Sequence, residues 1–343
     1  MAGEQSRSGV VCAGAWCVDR NTIIDHWPAE ETVVKIRSME RHGGCSSHNM
    51  ATALRRLGAT FPIDAIGLVG DDEDGQLLAR ICDQHKIDRR QLELRPGTAT
   101  PVSYAMIAKL TAKRTFFYAP GTHDIQTPDD FDFSRTTSRF LHLGMPGVHL
   151  TLDAPWKGHP SGWVPVLKAA KAAGLKANIE LVSVEAARIR SIVEPILPYL
   201  DTFIVNDLEA GAVAGIETVR DGKTNVEACR QAAARLLERS TLELVAIHFP
   251  TGGIVMTRDG RSFESPSVRV PADAVKSSNG AGDAFAAGML FGLHESWPLD
   301  RALRLAHASA AASLRADSTT GAIAPWQDCL DLANRWGWRD AIA

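Results

Sequence analysis

An α/β fold, with a mostly parallel central sheet, helices on both of its faces and a small β appendage, is what the sequence predicts for this 343-residue chain. Two observations predict it. Short apolar runs alternate with segments whose apolar residues recur at helical spacing, and strand–helix alternation at this pace builds a parallel sheet covered on both sides. One stretch, residues 98–118 (TATPVSYAMIAKLTAKRTFFY), breaks the rhythm. It is rich in Thr, Val, Ile, Phe and Tyr, lacks a helical period, and reads as antiparallel strands inserted into the α/β framework.

Residues 10–15 (VVCAGA) predict a buried strand, and 47–57 a helix closed by Gly58, a residue suited to the left-handed position past a helix end. Residues 62–69 predict a strand and 75–84 a helix, while 25–41 resembles the inserted strands in composition. A strand at 140–144 follows, then a helix at 164–173 stopped by Gly174, a helix at 183–200 broken near Pro198, and a strand at 202–205. The spacing of Thr224 and Glu227 is that of a capping box opening a helix over 224–237. A strand at 242–248 and an Ala- and Leu-rich helix at 299–314 complete the set. No repeat, low-complexity tract or long linker divides the chain, so residues 1–343 read as one domain carrying a β appendage.

Composition narrows the function classes. Lys and Arg total 37 against 40 Asp and Glu, a net charge of -3, which argues against a broad nucleic-acid-binding face. No apolar run approaches the roughly 20 residues that span a bilayer, and the first ten residues, MAGEQSRSGV, carry no secretory pattern. The six cysteines are scattered, with neither CxxC nor zinc spacing. A reduced, cytoplasmic protein with no nucleic-acid or membrane partner is expected.

The densest chemical signal is residues 277–288 (SSNGAGDAFAAG). Gly280, Ala281 and Gly282 precede Asp283, and an apolar helical run follows. A Gly-rich turn opening a helix aims free N–H groups and the helix dipole at one point, where a phosphate can approach closely. Asp283 stands where it can take a proton from an attacking hydroxyl. An anion hole beside a carboxylate is the minimum for phosphoryl transfer to an alcohol. The bland alternative is a turn in which Asp283 only stabilises the helix start. Other motifs fail: Gly222-Lys223-Thr224 has Glu217 where a P-loop needs glycine, and His48 occupies the second glycine position of a nucleophile elbow.

Four motifs in order give the chain a wider resemblance. Residues 277–288 are similar to DTTGAGDAF-x-AG. Gly43, Gly44, Asn49, Ala51, Leu57 and Gly58 are similar to a GG…N-x-A…LG pattern. Residues 70–75 (GDDEDG) match GDDxxG, and Asn206 and Glu209 match NxxE. Arg114-Thr115 and Gly121-Thr122-His123 resemble a geRt…GAN stretch. On these residues the chain resembles the ribokinase-like (PfkB) family of carbohydrate kinases over about residues 10–322.

The resemblance implies a three-layer α/β sandwich with a β-sheet lid formed by strands within 17–45 and 98–120, and a homodimer made through that lid. It implies ATP and Mg2+ as cofactors and a small sugar as substrate, with Asp283 the base and Gly280, Ala281 and Gly282 the anion hole. Asp19, Gly43, Gly44 and Asn49 would hold substrate. Asn206, Glu209, Gly252 and Gly253 would serve the nucleotide, with Glu209 reaching the metal through water. Simple chemistry agrees, because a carboxylate accepts two hydrogen bonds from vicinal hydroxyls and magnesium prefers oxygen ligands and keeps waters. Asp19 as a turn cap, and Asn206 with Glu209 as an ordinary strand-to-helix turn, remain open.

Departures from the pattern are specific. Ser277, Ser278 and Asn279 replace Asp-Thr-Thr, which puts K+ activation in doubt, since that Asp helps to hold a monovalent cation in many relatives. Four residues rather than three separate Gly44 from Asn49, so His48 is either a substrate contact or a surface residue. His248-Phe249-Pro250 replaces Thr-x-Gly, and Pro250 removes a backbone donor. Asn178-Ile179-Glu180 replaces Asp-Pro-Asn. In the lid, Tyr104, Met106 and Lys109 either touch substrate or pack a dimer, and Lys109, Lys113 and Arg114 are candidates to hold an acceptor phosphate. His142 and His149 have no third metal ligand nearby and read as structural. Two other readings remain: a nucleoside kinase of the same family, and a ligand sensor without catalysis.

Overall fold

The computed structural model describes residues 7–342 apart from residues 112 and 183. In chain order the elements are β1 (Val10–Gly14), β2 (Cys17–Ile24), β3 (Ile36–Gly44), α1 (Cys45–Arg56), β4 (Ile63–Gly70), α2 (Glu73–Gln84), β5 (Asp88–Arg95), β6 (Val102–Ala108), β7 (Lys113–Ala119), β8 (Phe140–Gly144), α3 (Leu150–Asp153), α4 (Trp163–Ala172) and β9 (Lys176–Glu180). The second half contains α5 (Ala186–Val193), β10 (Thr202–Asn206), α6 (Asp207–Ala214), the small hairpin β11 (Val219–Arg220) and β12 (Lys223–Thr224), α7 (Val226–Arg239), β13 (Leu244–Phe249), β14 (Gly252–Thr257), β15 (Ser262–Pro266), α8 (Ala281–His294), α9 (Leu299–Ser313) and α10 (Trp326–Trp336).

Five strands, ordered β5-β4-β1-β8-β9, form an all-parallel sheet. A second sheet, β10-β13-β14-β15, starts with a parallel pair and ends antiparallel. Side chains join the two. Asn178 Oδ1 on β9 accepts from the Ile204 amide at 3.2 Å and from Thr202 Oγ1 at 3.3 Å, and Asp201 Oδ2 accepts from the Ala177 amide at 2.8 Å. Strand alternation splits the core in two, as a sheet covered on both faces requires. Val10 and Cys12 pack with residues of α1, α8 and α9, whereas Val11 and Ala13 pack with residues of α4, α6 and α7. No helix among the described residues is long and apolar enough to cross a membrane.

The strands expected to form a lid make a separate sheet, β3-β2-β6-β7, in which β6 and β7 are antiparallel, as residues 98–118 predict. Residues 25–41 are strand only from Ile36 onward. The sequence reading misses β5 because its charged run DRRQLELR belongs to a half-exposed edge strand, a place where charge discourages pairing with other chains. Two further expectations change. The helix expected over 183–200 is α5 plus a single turn at Leu197–Tyr199, and residue 183 lies outside the described residues. The cap of α7 is Asn225, which accepts from the Ala228 amide at 3.0 Å, while Thr224 Oγ1 is committed to Asp207 Oδ2 at 2.5 Å.

Candidate active site

Asp283 sits in the first turn of α8, whose N-cap, Gly280, has φ 78°. That left-handed backbone admits glycine without strain, and a β-carbon there would lie 2.6 Å from Thr319 Cβ. No side chain caps α8; the Ala281 amide meets the Ser278 carbonyl at 3.5 Å, and the amides of Gly282 and Asp283 keep the positive character of an uncapped helix start. Asp283 Oδ2 accepts from Asn49 Nδ2 at 2.9 Å, a contact across 234 residues. Asn49 is itself fixed, its Oδ1 accepting from Thr319 Oγ1 at 2.7 Å. The motif at Gly43–Asn49 and the motif at Gly280–Asp283 therefore meet at one carboxylate.

Asp19 lies on β2, nearly buried, and Cys17 Sγ donates to its Oδ1 at 3.7 Å. A β-carbon on Gly44 would come within 2.3 Å of the Asp19 carboxyl, and one on Gly43 within 2.1 Å of His48 Nε2. The glycine pair thus admits two of the protein's own side chains. His48 corrects the sequence reading in one respect: it is not on the surface. It is 3% exposed, set against Trp16 and hydrogen-bonded to Thr52 Oγ1 at 3.3 Å. The extra residue between Gly44 and Asn49 is accommodated by starting α1 at Cys45, which has φ 62°.

Four carboxylates converge near this point. Burial, then the nearby Asp283, pushes Asp19 up to about 7. Burial pushes Asp283 up to about 6 against the opposing hydrogen bond from Asn49. Glu209 rises to about 7, again through burial. Glu180, at the end of β9, is raised by burial and by Asp283 and Glu209, and its Oε2 is buried without a hydrogen-bond partner among the described residues. Sequence reading noted the substitution at Glu180 without seeing its part here, although an acidic residue at the carboxyl end of a central strand is a recognisable signal. Each raised pKa favours the protonated folded state, so the stability it contributes is present below pH about 4.5 and lost as pH rises through the folded value. Glu180→Gln is therefore expected to stabilise the ligand-free protein by about 1–3 kcal/mol at pH 8 and negligibly at pH 4, measured by urea unfolding at both pH values.

Asn206 and Glu209 form a reciprocal capping box at the start of α6: Asn206 Oδ1 accepts from the Glu209 amide at 2.8 Å and Glu209 Oε2 from the Asn206 amide at 3.2 Å. The turn reading is what the structure shows: the cap uses the only side-chain oxygen of Asn206 and one of the two oxygens of Glu209. Asn206 also lines a cavity of about 520 Å³ together with His248, Ser278, Ala281, Gly282 and Phe285. Gly252 and Gly253 are not among its lining residues. They are buried in the β13–β14 hairpin, where a β-carbon on Gly253 would meet His307 Nε2 at 3.1 Å. His307, which the sequence reading missed, lines the cavity in their place.

Lid candidates separate by register. Asp19 pairs with Ser103 and Ser103 with Tyr118, so these three share one face, while Tyr104 and Met106 occupy the other. Tyr104 there contacts Arg20, which pairs with Asp74 of the GDDxxG motif. Lys109, six residues beyond Ser103, lies roughly 20 Å from the Asp19 row, too far for an acceptor contact there. The side chains of Lys113 and Arg114 lie outside the described residues. His142 and His149 are buried, His142 bonded to Asn178 Nδ2 at 3.2 Å.

Comparison with known proteins gives the family and the fold. The chain is 24% identical to a 5-dehydro-2-deoxygluconokinase of Geobacillus thermodenitrificans over 93% of its own length and 91% of the relative's. Arabidopsis thaliana ribokinase, solved with ribose and ATP, superposes with TM-score 0.76 at 19% identity, covering 96% of this chain and 99% of that one. A nucleoside kinase from Burkholderia thailandensis, in complex with inosine, gives TM-score 0.69 at 18% identity over 97% and 100%. A family model for pfkB family carbohydrate kinases matches residues 8–327. With the motifs, the fold and a family match over nearly its whole length, this chain belongs to the pfkB family of carbohydrate kinases.

Proposed function

We propose that the protein transfers the γ-phosphoryl group of ATP to a hydroxyl of a sugar or sugar-like molecule. The observation that carries this reading is the Asn49–Asp283 contact, which sets a buried carboxylate at an uncapped helix start and near Asp19. Asp283 takes the proton of the attacking hydroxyl. That oxygen bonds to the γ-phosphorus as the bond to the bridging oxygen breaks and ADP leaves. The amides of Gly280, Ala281 and Gly282 hold the charge on the moving group. Asp19 accepts hydrogen bonds from neighbouring hydroxyls, and the lid keeps water out.

Magnesium, when bound, would neutralise phosphate charge, and the oxygen-only donor set suits it. Among the described residues no group of three His, Cys, Asp or Glu is placed to hold a metal directly. Glu209 with Glu180, waters and phosphate oxygens are the donors we assign. The lid's face opposite Asp19 carries half-exposed Met39 and Phe117, the latter stacked on Trp27 with ring centroids 6.0 Å apart, which supports pairing of two copies through the lid.

Acceptor-stimulated ADP release over a panel of sugars and nucleosides tests the reading. Stimulation by a sugar is expected. Stimulation by nucleosides alone would transfer the same chemistry to the alternative acceptor class. Ligand binding without any stimulation would overturn the kinase assignment in favour of a sensor.

A further inference from the structure

The hairpin that joins β13 to β14 turns at Pro250 and Thr251, and Pro250 lines the cavity of about 520 Å³ into which the start of α8 opens at Ala281 and Gly282. Proline has no backbone N–H, so the turn offers no donor to a bound anion at that position. The glycines after it do not compensate, since neither Gly252 nor Gly253 lines the cavity.

A short ladder of hydrogen bonds leads from this turn to the C-terminal segment. Ser267 Oγ donates to the Pro250 carbonyl at 2.8 Å, and the Ser267 amide donates to the Thr251 carbonyl at 2.9 Å. The Arg339 amide donates in turn to the Ser267 carbonyl at 2.9 Å, and the Arg269 amide to the Gly337 carbonyl at 2.8 Å. Val268 and Trp338 pair antiparallel between these bonds. Trp338 pins the segment, because its ring packs against the core and lies under the Arg304 guanidinium at 4.4 Å. The backbone of Arg339 is thereby fixed beside the strand that holds the Pro250 turn, while its exposed side chain lines the cavity.

Charge singles this residue out. Among the described residues lining the cavity, Arg339 is the only cation, since burial keeps His248 and His307 neutral with pKa values of about 4 and about 3. Asp207 is the only acid lining it, and both of its oxygens are engaged, by the Leu208 amide at 3.0 Å and by Thr224 Oγ1 at 2.5 Å. Asp340, next in the chain, reaches Arg269 at 3.5 Å. The Arg339 guanidinium itself enters no ion pair or hydrogen bond among the described residues. Much of the remaining lining is apolar, with Val268, Val270, Val275, Ala311 and Leu314, and suits a flat base. The family match ends at residue 327, so none of its motifs includes Arg339.

Resting on the ATP-dependent reading above, we infer that Arg339 is a nucleotide-binding residue, its guanidinium holding the α- and β-phosphates of ATP beside the Pro250 turn in place of the backbone donor that proline lacks. The γ-phosphate lies toward Gly282 and Asp283. A guanidinium presents paired N–H donors to phosphate oxygens and carries a permanent charge, whereas the helix start serves only the other end of the polyphosphate.

The test is calorimetric binding of ADP and of β,γ-imido-ATP to the full-length protein, with adenosine read as a competitor of imido-ATP and steady-state kinetics alongside. Arg339→Gln is expected to weaken ADP and imido-ATP by roughly 5- to 20-fold and to raise KM for ATP by about the same factor. Displacement by adenosine and the acceptor KM should each move by less than about twofold. Arg339→Lys, which keeps the charge but loses the paired donors, should recover part of the loss. Urea unfolding should be alike for the three ligand-free proteins, because the side chain has no partner in the unliganded fold. Equal ADP affinity in the wild type and Arg339→Gln, or a loss of the same size for adenosine, overturns the inference and leaves the kinase reading intact. Failure of the wild type to bind ADP or imido-ATP overturns both.

Discussion

Asp283→Asn is expected to lower ATP-dependent phosphoryl transfer by about 10²- to 10⁴-fold, while ATP affinity measured by calorimetry changes by less than about threefold. The substitution keeps the shape of the side chain and a hydrogen bond to Asn49, so the fold around the 2.9 Å contact should persist. What it removes is the proton acceptor we propose. The pH profile gives an independent check. A base must be ionised to act, and burial raises Asp283 to about 6, so wild-type kcat/KM should fall roughly tenfold per unit as pH drops below that value. The residual activity of the Asn variant should lack that limb. Undiminished turnover would show that the proton leaves by another route.

Gly280→Ala is expected to cut kcat by about 10²- to 10³-fold and to cost about 1–3 kcal/mol of stability, read by turnover and by urea unfolding. Two effects act together. The backbone at φ 78° resists a side chain, and the new methyl would lie 2.6 Å from Thr319 Cβ and 2.8 Å from its Cα. Thr319 holds Asn49, and Asn49 holds Asp283, so displacement passes to the Asp283 carboxylate as well as to the amides of the helix start. Gly58→Ala is the control. It meets φ 95° at a helix end with nothing within 4 Å, so stability should fall while kcat holds. A parallel loss of kcat in both variants would mean that the effect at Gly280 is general destabilisation.

Much of the site was legible in the chain because its chemistry is local. A turn of small residues followed by Asp283 and an apolar helix dictates an uncapped N-terminus with a carboxylate in its first turn, whatever surrounds it. Asn206 and Glu209 are similar, since a capping box is closed by residues three apart. His48 was not legible. Its burial follows from Trp16 on one side and the absence of a side chain at Gly43 on the other, neither of which its own neighbours reveal. Gly252 and Gly253 are expected to serve the nucleotide where Pro250 removes a donor. In the hairpin they make room for His307 and the neighbouring strand.

The sequence by itself determined the α/β class, the antiparallel hairpin of residues 102–119, the glycine-rich turn that opens α8 and the family, because period, turn chemistry and short motifs are properties of residues a few positions apart. Tertiary structure alone decided that Asn49 reaches Asp283 across 234 residues, that Glu180 joins Asp19, Asp283 and Glu209 in one electrostatic cluster, and that Tyr118 shares a face with Asp19. Each of these depends on register and packing between distant strands and helices. Burial then acts on all of them at once, so a carboxylate's proton affinity is set by partners that no local reading of the chain can supply.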